Sequence, residues 1–306
     1  MNYLSPLSNN FGYVLAVEKL MGIRVPKRCE YIRVILAELS RIADHLVWLG
    51  MGALDLGAFT IMLYGFRERE KLYNIFEKMT GARLTTSYTR VGGVLRDVYK
   101  GFEEDVRRFI HQLPKTLKEV HTLLTRNRIW MDRTKDVGVM SAEAAIDYGF
   151  TGPCLRASGV EWDLRKVEPY SSYEDFDFDV PVGANGDVYD RYLVRMEEMA
   201  QSCRIVQQAI DNLPGGAVNV DDYKIVLPPK KDAYGNIEGL IHHFKIIMDG
   251  HGIQPPAGEV YCATESPNGE LGFYIVSDGS GTAYRIRIRP PSFLHFQAMP
   301  HMIEGG

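Results

Sequence analysis

The chain has 306 residues, 45% of them hydrophobic and 24% charged, with a formal net charge of −4 and a pI of about 6.1. That length supports a sizeable core in one large domain or two modest ones. The slightly acidic balance argues against nucleic acid or an anionic membrane surface as the main partner. Cys29, Cys154, Cys203 and Cys262 lie far apart, with no CxxC and no Cys/His pair at zinc spacing. The sequence therefore predicts no metal site, iron–sulfur cluster or disulfide framework on this chain. It contains no GxGxxG after a strand and no GxxxxGK, so any nicotinamide is expected on another chain. The segment MNYLSPLSNN lacks the basic region and apolar core of a signal peptide.

No internal repeat or low-complexity linker interrupts the sequence, and we read residues 1–306 as one domain. Residues 1–257 form a mostly helical core, and 258–290 form an antiparallel β meander. A first helix is expected near 10–22. From Tyr31, apolar residues recur at Ile32, Ile35, Leu36, Leu39, Ile42, Ala43 and Leu46, which is helical spacing. Arg33, Ser40, Arg41 and Asp44 fall on the opposite side, and Val34 alone is out of pattern. Residues 61–80 read as helix stopped by Gly81. Residues 102–126 read as helix interrupted at Pro114, and 141–148 as a short helix capped by Ser141 and stopped at Gly149. Over 187–212, Val188, Tyr192, Met196, Met199, Cys203, Val206 and Ile210 step by three and four. A further helix spans about 236–249. Then EVYCAT (259–264), GELGFYIVSD (269–278) and TAYRIRIR (282–289) are divided by turn residues, with Arg285, Arg287 and Arg289 on one face of the last strand.

Residues 46–66, LVWLGMGALDLGAFTIMLYGF, carry a single charge, Asp55. The run is long enough to span a bilayer. A central Asp costs about 2.5–3.5 kcal/mol on insertion, however, and Gly50, Gly52, Gly57 and Gly65 make a poor span. A buried helix packed closely through its glycines is the better reading. It would leave Asp55 in apolar surroundings, where a carboxylate must be paired, hydrogen-bonded or protonated. Val47 and Met51 share its helical face.

The segments YVLAVEKLMGI (13–23), RVILAELSRIADHL (33–46), ALDLGAFT (53–60), FREREKL (66–72), RVGGV (90–94), RASGVEWDLRKVEPY (156–170), FDVPVGANGDVYDRYLVRMEEM (178–199), IHHFK (241–245) and VSDGS (276–280) resemble, in order and over nearly the whole chain, the D subunit of respiratory complex I. The resemblance implies a mainly α fold like the nickel–iron hydrogenase large subunit, without the two metal-holding CxxC pairs. It implies a peripheral subunit on the cytoplasmic side of the plasma (inner) membrane, within a proton-pumping NADH:quinone oxidoreductase. Quinone, ubiquinone or menaquinone, would be reduced between this subunit and a small iron–sulfur neighbour bearing the terminal cluster. NAD(H) and the clusters would be held by other chains, with C-like and membrane-arm subunits as further partners.

Residue by residue, Tyr3 matches the family tyrosine that hydrogen-bonds a quinone carbonyl. Asp55 matches the aspartate that pairs with a quinone-binding histidine on an N-terminal β-hairpin. That hairpin and a C-terminal tail of the family are expected beyond this sequence. Val47 and Met51 would line the apolar cavity. Thr85, in GARLTTSYTRVGG (81–93), stands where the family often has a histidine near the cluster, with Arg90 close by. A cluster potential that is lower and less dependent on pH is expected to follow. The chemistry suits the residue types: a phenol is neutral near pH 7 and donates a proton, and a histidine titrates near neutrality. A ferredoxin-linked relative and a non-catalytic assembly scaffold are the alternatives. His242, His243, His111 and His121, and the run 67–71, read as packing or solvated surface, and Met196 and Met199 as core.

Overall fold

The computed structural model describes residues 2–248 and 251–304. Three long helices organise the body. Helix α1 (Pro6–Met21) starts on a proline, whose missing N–H costs nothing there, and ends at Gly22 in the left-handed region. Helix α2 spans Lys27–Asp55 and helix α3 spans Phe59–Thr80, stopped by Gly81 as expected. The apolar run 46–66 is therefore not one helix. Leu56, Gly57 and Ala58 reverse the chain, with Gly57 at φ +92°, and α2 and α3 form an antiparallel hairpin. The glycines do pack closely, but across that hairpin. A Cβ on Gly50 would sit 3.2 Å from the Met62 Cα, and one on Gly65 would sit 2.9 Å from the Leu46 carbonyl oxygen. Among the described residues, no helix is long and apolar enough to cross a membrane.

A short hairpin follows, β1 (Thr89–Arg90) with β2 (Gly93–Val94). Helix α4 (Phe102–Val120) passes through Pro114 without a break, and a π-helical turn covers His121–Thr125. The expected interruption at Pro114 fails because proline forfeits one ladder bond, whereas Val106, Phe109, Ile110, Leu113 and Leu117 hold the helix to the core. Short helices that periodicity does not reveal come next: α5 (Arg128–Thr134), α7 (Gly152–Ala157) and α8 (Leu164–Val167). Between them, α6 (Ala142–Asp147) has the expected Ser141 cap, which accepts from the Ala144 N–H at 3.2 Å. Helix α9 (Val188–Asp211) is capped by Asp187, accepting from the Asp190 N–H, and packs on α2. Met196 and Met199 are core, as read from their spacing.

The expected helix at 236–249 is present as α11 (Ile237–Ile247), preceded by a further short helix, α10 (Lys230–Gly235); residue 249 lies outside the described residues. The meander is present as β3 (Gly258–Ser266), β4 (Gly269–Ser277) and β5 (Arg285–Arg289), an antiparallel sheet in that order with β5 at one edge. Ile286 and Ile288 pair with Ile275 and Phe273, whose face packs on α1, so Arg285, Arg287 and Arg289 take the other face as expected. Residues 282–284 do not join the strand. Helices α12 (Pro291–His295) and α13 (Met299–Ile303) end the described chain.

Helix α2 is buried on every side over its middle turns. Val34, out of pattern in the sequence, is 0% exposed, and so is the face that reads as polar: Arg33, Ser40, Arg41 and Asp44 are all within 2% of full burial. The periodicity locates the apolar stripe correctly. It misjudges the other side, because the partners of those groups lie on other elements: Arg33 meets Glu18, Arg90 and Gly93, Arg41 meets Glu265, and Asp44 meets Asn268.

Candidate functional site

Two features of α2 bear on function, and they sit at different heights along it. The first is a buried ionic seam. Glu38 accepts from Arg41 Nε at 3.1 Å, Arg165 Nη1 at 3.1 Å, the Tyr173 hydroxyl at 2.7 Å and the Ser202 hydroxyl at 2.7 Å. Burial alone would push this carboxyl up, but the arginines and the two hydroxyl donors hold it down at about 2. Arg165 also binds Asp163 at 2.6 Å. Arg156 reaches Glu198 at 2.6 Å and Glu265 at 2.9 Å. His45 Nε2 meets the other Glu198 oxygen at 2.8 Å. Burial opposes charge on Glu198 and Asp163 as well, yet the adjacent arginines hold both below the ordinary carboxylate range. Glu265 goes the other way: burial and the nearby Asp163 outweigh Arg156 and raise it. Burial also lowers His45, against the pull of Glu198. Four carboxyls thus share three guanidiniums, with His45 on Glu198 as a further partner.

The second feature is the open end of the α2–α3 hairpin. Val47, Met51 and Asp55 do share a helical face, but burial declines along it: Val47 is 8% exposed, Met51 is 40% exposed, and Asp55, the last residue of α2, is exposed. The expectation of a carboxylate in apolar surroundings is corrected here. Asp55 ends a helix at a turn, where water reaches it, and needs no partner within this chain. On α3, Phe59, Leu63 and Phe66 share one face and are 55%, 50% and 39% exposed.

Tyr3 is 72% exposed. Its neighbour Asn2 is pinned to α1 by two bonds: the Asn2 N–H donates to Asn9 Oδ1 at 3.1 Å, and Asn9 Nδ2 donates to the Asn2 carbonyl at 2.6 Å. The Asn2 side chain lies beside Asp44, a buried carboxyl that accepts from Asn268 Nδ2 at 3.2 Å. About 16 Å of helix axis separates Asp44 from Asp55, eleven residues at 1.5 Å each. Tyr3 and Asp55 therefore do not meet; they mark two ends of one face. Thr85 is exposed on the loop after α3, and Arg90 is exposed on β1. That hairpin is fixed from below by Arg33, whose Nη2 donates to the Arg90 and Gly93 carbonyls at 2.9 Å while Glu18 neutralises it at 2.7 Å.

The run 67–71 is only half a solvated turn. Arg67 and Lys71 are outside, and both pair with Glu68, as local ion pairing predicts. Glu68 and Arg69, however, are 1% and 7% exposed. Sequence reasoning also passed over His45 and Glu198. The available signal was the segment 156–170, where Arg156, Asp163 and Arg165 lie within ten residues without helical ion-pair spacing.

Comparison with known proteins places these features in a family. The model of the respiratory-chain NADH dehydrogenase 49 kDa subunit matches residues 55–306. The chain is 54% identical over 305 residues to the D subunit of NADH-quinone oxidoreductase from Geobacter sulfurreducens, an alignment covering 100% of this chain and 78% of that protein. It is 51% identical over 306 residues to the Leptospira biflexa protein of the same name, covering 100% and 75%. It is also 53% identical over 305 residues to the C/D subunit of Bdellovibrio bacteriovorus, covering 100% and 54%. The hairpin tip, the buried seam and the C-terminal sheet all lie within the matched residues, and the chain belongs to the 49 kDa subunit family of respiratory-chain NADH dehydrogenase, the D subunit of complex I.

Proposed function

We propose that this chain forms one wall of the site where complex I reduces quinone, the other wall being the small neighbour that carries the terminal iron–sulfur cluster. One observation carries the reading. The exposed apolar strip Met51, Phe59, Leu63 and Phe66 runs along the α2–α3 hairpin from Asp55 toward Tyr3. A strip of that kind marks a surface that another molecule covers. Its two ends carry the polar groups that quinone chemistry needs.

In this reading Tyr3 donates a hydrogen bond, then a proton, to one headgroup oxygen. Asp55 orients and stabilises a histidine supplied by a preceding segment of the family, which serves the other oxygen. Val47 and Met51 supply apolar lining between. Two electrons arrive from the neighbour's cluster, two protons arrive through these groups, and both carbonyls become hydroxyls. Thr85 and Arg90 face the cluster-bearing neighbour. With no histidine at 85, the cluster potential depends only weakly on pH; a steep dependence in EPR-monitored redox titration would overturn that point. NAD(H) is bound elsewhere in the enzyme. The fused C/D relative supports a C-like neighbour, and this subunit is peripheral, on the cytoplasmic side of the inner membrane.

The test is quinone reduction by the assembled enzyme carrying Tyr3→Phe or Asp55→Asn, with assembly checked on native gels. Each substitution is expected to lower turnover about tenfold to a hundredfold while assembly holds. Unchanged turnover in both would return the chain to the scaffold reading.

A further inference from the structure

Beside the proposed quinone face, Arg69 is a buried cation with no carboxylate partner among the described residues. Arg69 is 7% exposed, and its Nε and Nη2 atoms are buried without a hydrogen-bond partner. Glu68 beside it is taken by Arg67 and Lys71. Among the described residues, no carboxylate comes within the 4.0 Å of an ion pair to Arg69. Its guanidinium lies 4.6 Å from the Tyr73 ring centre and 5.8 Å from that of Phe66, so aromatic faces, not a counter-ion, surround it.

The hairpin register fixes where this charge points. Gly50 faces Met62 and Gly65 faces Leu46, so Arg69, one turn past Gly65, lies alongside the turn of α2 that holds Asp44. Asn2 docks on that same turn, which brings the next residue, Tyr3, to the Arg69 end of the hairpin, and Asp44 is near enough for a charge there to favour the guanidinium. Asp44 does not come within the 4.0 Å of an ion pair to it and accepts instead from Asn268 Nδ2 at 3.2 Å. A buried, uncompensated guanidinium costs stability, and such costs persist where chemistry uses them.

We infer that Arg69 is a charge-stabilising residue of the Tyr3 end of the site: its uncompensated charge favours the negative charge that reaches the headgroup oxygen when electrons arrive ahead of protons. The inference rests on the quinone-site reading above. The electrons come from the enzyme's own donor chain, and the proton that follows comes from the Tyr3 hydroxyl, which recovers it from solvent. Arg69 exchanges neither. It acts after binding, so it lowers the barrier more than it tightens the substrate.

The experiment uses the whole assembled enzyme with Arg69→Gln, Arg69→Lys and Tyr3→Phe, offered a short-chain ubiquinone and a short-chain menaquinone. Ferricyanide serves as a water-soluble acceptor that bypasses the quinone. Arg69→Gln is expected to lower kcat for quinone about tenfold, with KM within about twofold and ferricyanide reduction unchanged; Arg69→Lys keeps kcat within about twofold. Full turnover by assembled Arg69→Gln overturns the inference, and so does an assembled Arg69→Lys as impaired as the glutamine variant. Should Arg69→Gln fail to assemble, the lysine variant decides alone: turnover near the parent supports a role for charge, and a tenfold loss overturns it. If Tyr3→Phe is impaired and Arg69→Gln is not, only the role of Arg69 falls. If both are silent, the quinone-site reading falls with it.

Discussion

Helix α2 carries acids of two opposite kinds within a few turns. Glu38 is fully buried, meets four donors and is held down at about 2. Asp55, at the end of the same helix, is exposed and makes no ion pair among the described residues. The first is an acid that the fold consumes. The second is an acid that the fold leaves exposed and unpaired among the described residues. The lesson is that partnership, more than residue type, separates a structural carboxylate from a candidate functional one.

The largest test of that contrast is acid. Glu38, Glu198 and Asp163 have depressed values in the folded state, so each contributes stability that is present above its unfolded value and lost as pH falls. For Glu38 the window runs from its ordinary 4.5 down to about 2. His45, depressed by burial, adds a loss below its ordinary 6.5. Glu265 and Asp44 are raised and offset part of this, since protonating them is easier in the fold. The urea-unfolding midpoint should begin to decline as pH falls through about 6.5 and then fall steeply below about pH 4.5. A flat profile down to about pH 3 would show that the seam is not ionised.

Breaking one link comes next. Arg156→Met leaves Glu198 and Glu265 buried without their cation and should cost about 3–5 kcal/mol, read from the same unfolding curve. Gly65→Ala follows. The added methyl meets the Leu46 carbonyl oxygen at 2.9 Å, and the hairpin should lose about 1–3 kcal/mol as it opens to admit it. Asp55→Asn has the smallest effect on stability, within about 0.5 kcal/mol, because nothing in the chain binds that carboxylate. A loss comparable to that of Arg156→Met would place Asp55 in the structural class and end its functional candidacy.

Much of this architecture is legible from local chemistry. Gly81, Ser141 and the segment around Asp187 announce their helix ends, since caps and left-handed glycines act over a few residues. The two faces of β5 follow from the alternation in RIRIR. What stays hidden depends on distance along the chain. Glu38 is joined to Arg165 and Ser202, and Arg41 to Glu265, across 127, 164 and 224 residues, and no periodicity encodes such meetings. The break at Gly57 was hidden for another reason: leucine and alanine flank it, and the run stays apolar through the turn. The site was named through family resemblance. The geometry adds the separation of Tyr3 from Asp55, and it adds Arg69, which looked like ordinary surface charge.

Strand β5 lies at the margin of its sheet, its outer backbone groups paired by no strand among the described residues, with arginines at 285, 287 and 289 on one face. An open edge is a template on which a second polypeptide can lay itself. Positive charges at every other position repel a copy of the same strand, so two molecules of this protein resist zipping together through it. A polypeptide made before its neighbours are in place thereby carries its own safeguard against self-association while it waits for assembly.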